Sequence, residues 1–355
     1  MNTLYSEIHV FFTDILNSLS WAVLQERITT IKYDGNAQWT YSIVLNTLQS
    51  TFAAMTGLLY LYFSTPSSSR TPPVFPSARI AAPLLLVAVT SSLASPFGYA
   101  SLAHIDYITY ILAKSCKLLP VMFLHLTVFR KRYPVYKYLV VGLVTAGVAI
   151  FTLHQPAKKS RSAAVMGNST WGLFLLFINL LFDGLTNSTQ DHIFSTFRPY
   201  SGPQMMVAQN VLSTLLTTSY LFLLPLLPPS LLSFLSIPQS STTELSSALA
   251  FLRAHPEVVK DIVGFAACGA VGQIFIYATL ARFSSLLLVT VTVTRKMLTM
   301  MLSVVWFGHR LSHMQWVGVA LVFGGVGAEG LIARREKKAK EAAKLQQAQG
   351  GKKEL

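Results

Sequence analysis

Residues 107–129 read Tyr107-Ile-Thr-Tyr110-Ile-Leu-Ala-Lys114-Ser-Cys116-Lys117-Leu-Leu-Pro120-Val-Met-Phe-Leu-His125-Leu-Thr-Val-Phe129. At a rise of about 1.5 Å per residue, this stretch is long enough to cross a bilayer core of about 30 Å. It is almost wholly apolar, yet two lysines stand in its middle. The stretch therefore predicts a membrane-spanning helix with a polar task.

Nine comparable stretches flank it. The ten predicted spans run from Glu7 to Leu24, Trp39 to Phe63, Ile80 to Ala103, Tyr107 to Phe129, Val135 to Leu153, Ser169 to Gln190, Gln204 to Pro228, Val259 to Ala281, Ser284 to Phe307 and His313 to Ala333. Composition agrees: 52% of the 355 residues are hydrophobic and only 12% are charged, against about 25% charged in soluble domains. The fold class is an all-α polytopic membrane protein. The opening residues lack a basic region followed by a clean apolar core, so no cleavable leader is expected. Cys116 and Cys268 both fall inside spans and imply no disulfide framework.

The formal net charge of +14 does not point to nucleic acid, because the basic residues cluster in short loops and in the C-terminal tail. With both termini cytosolic, sixteen of the 28 Lys and Arg face the cytosol, eight face the other side, and the rest lie within spans. Asn168-Ser169-Thr170 is then a glycosylation sequon on the lumenal side, with Asn168 as acceptor. A Ser- and Pro-rich connector occupies 64–76, and a short interfacial helix is expected around Leu245 to Leu252.

Five spans per half is odd, so two homologous halves would sit in opposite orientations, the inverted-repeat design of many carriers. In the fourth and fifth spans Lys117 precedes a basic hairpin and Gly147; in the ninth and tenth Lys296 precedes His309-Arg310 and Gly325. The expected organisation is a first five-helix repeat over 1–153, a lumenal loop over 154–168, a second repeat over 169–333 and a cytosolic charged tail over 334–355. The glycines of these helices are expected to permit close helix packing.

Four cations lie within spans: Lys114, Lys117, Arg295 and Lys296. Each costs about 2.5–3.5 kcal/mol near the bilayer centre. The acids available to neutralise them are few, chiefly Asp14, Glu26, Asp183 and Glu329. A net positive chamber follows, suited to an anion such as a phosphate, to which Arg offers a planar fork and Lys a point charge. Gln25, Glu26, Asn179, Asp183, Gln209, Asn210, Gln273 and Tyr277 also interrupt apolar faces and are expected at the cavity or in hydrogen bonds between helices. No clustered acids suggest a metal or a positioned base, so neither a cofactor nor an enzyme is expected.

Several of these residues fall in recognisable motifs. Lys114-Ser-Cys-Lys117 followed by Leu-Leu-Pro-Val-Met resembles the fourth-helix motif of the nucleotide-sugar transporters, in the endoplasmic reticulum branch of UDP-galactose transporter homologues within the drug/metabolite transporter superfamily. Trp21-Ala-Val-Leu-Gln-Glu-Arg27 and Thr294-Arg295-Lys296 with Trp306-Phe-Gly-His are similar to that family's first and ninth helices. The resemblance implies ten helices in two inverted halves, with alternating-access exchange of UDP-galactose or a related UDP-sugar from the cytosol into the endoplasmic reticulum or Golgi lumen. That activity would support glycosylation and protein folding in the secretory pathway. Lys114, Lys117, Arg295 and Lys296 would contact phosphates, with Glu26 at the cavity. Exchange of ATP for ADP across the endoplasmic reticulum membrane stands beside this reading, because four cations are generous for a diphosphate bridge. At the C-terminus, Lys352-Lys353-Glu-Leu resembles a dilysine retrieval signal read by cytosolic coat proteins.

Overall fold

The structure is a computed structural model describing residues 2–31, 37–65, 71–115, 134–154, 164–228, 243–282, 285–306, 308 and 311–350. Among these residues the chain is all-helical: α1 Asn2–Thr30, α2 Ser42–Ser64, α3 Ala78–Leu102, α4 Tyr107–Lys114, α5 Val135–Leu153, α6 Ala164–Thr196, α7 Gly202–Leu223, α8 Glu244–Ala254, α9 Glu257–Arg282, α10 Ser285–Trp306 and α11 His313–Gly350. Among the described residues, six segments are long and apolar enough to cross a membrane: Ala78–Leu102, Val135–Leu153, Thr170–Phe194, Gly202–Leu226, Glu257–Ile276 and His313–Ile332. They match the third, fifth, sixth, seventh, eighth and tenth expected spans. The expected first and second spans form helices with more polar residues, the ninth forms α10, whose first half has its side chains outside the described residues, and most of the fourth lies outside them altogether.

The surface tells the same story as the composition. Phe63, Leu139, Leu153, Phe222, Leu226 and Val305 are exposed, where a water-soluble fold would place polar side chains. Two boundaries differ from expectation. The segment 154–168 is not a loop to its end: α6 already begins at Ala164, because Ala164-Val-Met supplies apolar helix formers ahead of Trp171, and Asn168 falls within that helix. The charged tail continues α11 without a break as far as Gly350, because residues 333–348 are rich in Ala, Glu, Lys and Gln, strong helix formers. The short helix expected near 245–252 is α8.

Local chemistry sets the helix starts. Ser201 accepts from the Gln204 backbone N–H, and the Gln204 side chain accepts from the Ser201 N–H at 2.9 Å, a reciprocal cap that opens α7. At α2 the cap is tertiary: Glu244 Oε1 of α8 accepts the Ile43 N–H at 2.9 Å.

The helices pair across the chain rather than along it. The most extensive contacts are α3 with α6, α5 with α11, α2 with α7 and α1 with α9. Glycine makes the α5–α11 contact possible. A Cβ added at Gly147 would lie 2.7 Å from the Gly318 carbonyl oxygen, and one at Gly318 would lie 2.6 Å from that of Gly147. The two backbones therefore touch, the packing mode of membrane helices that lack a hydrophobic drive to associate. Around this seam Val144, Phe151, Leu176, Val322 and Met300 belong to the largest buried cluster among the described residues, which also holds α4 in place.

Candidate functional site

A cavity of about 280 Å³ opens between α1, α2, α4, α9 and α10. Of the two midspan cations whose side chains are described, both line it. Lys114 ends α4 and holds its ammonium 4.9 Å from the centroid of the Tyr110 ring, within cation–π range. Lys296, from α10, donates to the Lys114 main-chain carbonyl at 3.1 Å. Residues 182 apart in the chain are thus brought together by tertiary packing. Lys117 lies outside the described residues. Arg295 lies on α10, but its side chain is outside them, as is that of Tyr277 on α9.

The polar residues expected at the cavity divide. Gln25 and Gln273 line it. Tyr107, stacked on Tyr110 at 6.0 Å, donates to Gln25 Oε1 and to the Ala22 carbonyl, both at 3.1 Å. Asn210 stands one layer back and donates to Gln273 Oε1 at 2.8 Å, orienting that amide. Asn179 and Gln209 are placed elsewhere. Asn179 donates to the Ala94 carbonyl at 2.6 Å, joining α6 to α3, and Gln209 accepts from Gln190 at 2.6 Å, joining α7 to α6. Glu26 is 1% exposed and buried beside the cavity rather than on its wall. Asn168 is in α6 with its side chain outside the described residues, and Lys352 and Lys353 lie outside them altogether.

Among the wall residues that escaped the sequence reading as site residues are Asn17, Trp21 and Gln49. For α1 a signal existed, because Asn17, Trp21 and Gln25 recur at intervals of four and share a helix face. For Gln49 there was only an isolated amide in an apolar stretch.

The wall therefore combines ammonium groups, carboxamides and aromatic rings, set between helices that face lipid on their outer sides. Such a chamber can hold a water-soluble, anion-bearing solute in the plane of a membrane. Its geometry defines a multi-pass membrane carrier.

The particular family follows from comparison. Residues 8–332 match the UAA transporter family, and the chain belongs to that family. It is a transporter and not an enzyme. It is 62% identical over 349 residues to the UDP-galactose transporter homolog 1 of Aspergillus fumigatus, covering 92% of this chain and 84% of the relative. Its counterpart of the same name in Emericella nidulans is 62% identical over 347 residues, covering 91% and 82%. That of Schizosaccharomyces pombe is 40% identical over 311 residues, covering 88% and 89%.

Proposed function

We propose that this chain carries UDP-galactose or a related UDP-sugar from the cytosol into the lumen of the endoplasmic reticulum by alternating-access exchange, feeding glycosylation in the secretory pathway. The observation that carries the reading is the approach of Lys114 and Lys296 from two helices to one cavity. Phosphate oxygens supply the negative charge such a pair favours, and the surrounding amides and rings suit an uncharged base or sugar. The names of the relatives, UDP-galactose transporter homolog 1, support the same solute.

The architecture in this reading is ten spans in two inverted halves, over 1–153 and 169–333, with both termini cytosolic and a retrieval signal at Lys352-Lys353. The helix pairing supports it. A two-fold relation between halves exchanges α3–α6 with α9–α1 and maps α2–α7, α5–α11 and α4–α10 onto themselves; all of these contacts are present. Rocking of one half against the other around the cavity would expose it to each side in turn. Lys117 and Arg295 complete the phosphate site in this scheme, and Asn168 is the glycosylation acceptor.

The test is counterflow into liposomes of purified protein, with labelled UDP-galactose, UDP-glucose, ATP and ADP compared side by side. Uptake of the UDP-sugars in exchange for internal uridine nucleotide is expected. Uptake of ATP against ADP alone, with none of UDP-galactose, overturns the reading.

A further inference from the structure

We propose that Trp21 and Gln49 form a neutral hydrogen-bonding subsite for the uncharged ring of the transported solute, in space that Gly269 keeps open; the inference rests on the nucleotide-sugar reading above. The starting point is the seam between α1 and α9. Three glycines of α9 meet successive turns of α1: Gly264 faces Leu24, Gly269 faces Trp21 and Gly272 faces Asn17. The Trp21 indole is held flat against Phe265, with centroids 5.1 Å apart and planes at 24°. Its ring position is therefore fixed by packing, and its N–H edge is directed rather than free to turn.

That edge is unsatisfied. Trp21 Nε1 is buried and, among the described residues, has no hydrogen-bond partner. Its neighbours on the wall are already engaged: Asn17 donates to the Cys268 carbonyl at 2.8 Å, and Gln25 Oε1 accepts from Tyr107. Beside the indole edge lies the Gln49 carboxamide from α2. A Cβ at Gly269 would lie 2.8 Å from Gln49 Nε2 and 3.1 Å from Trp21 Nε1, so the two donors stand side by side against the α9 backbone.

Buried donors are rarely left without an acceptor, because stranding one forfeits its hydration. In this cavity the ammonium groups of Lys114 and Lys296 compete best for phosphate oxygens. The two uncharged donors are left for uncharged acceptors: the carbonyl oxygens of a pyrimidine base or the hydroxyls of a hexose. Both belong to a neutral oxygen-bearing ring, and they can be told apart by experiment.

Trp21→Phe removes the N–H and keeps the face against Phe265. Gln49→Met removes the amide at similar length. Gly269→Ala leaves both donors intact but pushes them aside. Counterflow of labelled UDP-galactose into liposomes of full-length protein is competed with unlabelled UDP-galactose, UDP or inorganic pyrophosphate. Each variant is expected to weaken competition by UDP-galactose about tenfold and to leave competition by pyrophosphate unchanged. An equal loss for UDP assigns the subsite to the base, and a loss confined to UDP-galactose assigns it to the hexose; either supports the proposal. Wild-type-like competition by UDP-galactose in Trp21→Phe and Gln49→Met overturns it, as does a proportionate loss for pyrophosphate. A variant too slow for uptake is read by the rise in Tm that the same three compounds produce in detergent, with the same criteria. Wild-type protein that takes up no UDP-galactose overturns the transport reading, and this subsite with it.

Discussion

The ammonium of Lys296 donates to the main-chain carbonyl of Lys114 at 3.1 Å, tying α10 to the last residue of α4. A backbone carbonyl carries partial negative charge, so it is a favourable partner for a cation within the membrane. The bond is to backbone, so it does not itself neutralise the charge that Lys296 brings to the cavity wall.

Lys296→Met therefore removes both the tie and a cavity charge. UDP-galactose counterflow is expected to fall by at least about tenfold, with more retained in Lys296→Arg. Size-exclusion behaviour in detergent checks that the protein is still folded.

The Gly147–Gly318 contact leaves no space for a methyl group, because the obstructing atoms on each side are carbonyl oxygens of the facing helix. Gly147→Ala or Gly318→Ala is expected to destabilise the fold by about 1–3 kcal/mol, seen as a lower Tm. Gly142→Ala and Gly324→Ala are the controls. Nothing lies within 4 Å of a Cβ at either position, and Tm should not fall.

Asn179 separates structural from cavity amides. Its bond to the Ala94 carbonyl is buried between α3 and α6, and Asn179 does not line the cavity. Asn179→Leu is expected to lower stability by about 1–2 kcal/mol while leaving the relative competition by UDP-galactose, UDP and pyrophosphate unchanged. A change in selectivity would place this amide in contact with solute.

Glu244 provides a pH test outside the spans. Burial pushes its carboxyl above the ordinary carboxylate range, while the backbone N–H groups of Ile43 and Val44 pull it back. A raised pKa means the folded state holds the proton more tightly than the unfolded state, so this group's contribution to stability falls as pH rises from the ordinary carboxylate range through its own raised pKa. Glu244→Gln, which keeps an acceptor for Ile43, is expected to gain in Tm relative to wild type as pH rises through that window. The two proteins should converge in acid. A gain that grows toward acid would contradict this sign.

The helical class, the membrane setting and the midspan cations were legible along the chain, because a bilayer imposes one length and one polarity on any segment that crosses it. Lys114 and Lys296 stood out for the same reason: charge is expensive there whatever the surrounding fold. Which polar residues meet was decided only by the tertiary structure. Gln25 and Gln273 reach the cavity while Asn179 and Gln209 close gaps between other helices, although all four interrupt apolar faces alike. Periodicity reports the face of a helix on which a side chain lies, but not the helix that this face meets. The partner follows from packing, as where glycines of α9 admit Trp21 and Gln49 and where Gly147 meets Gly318.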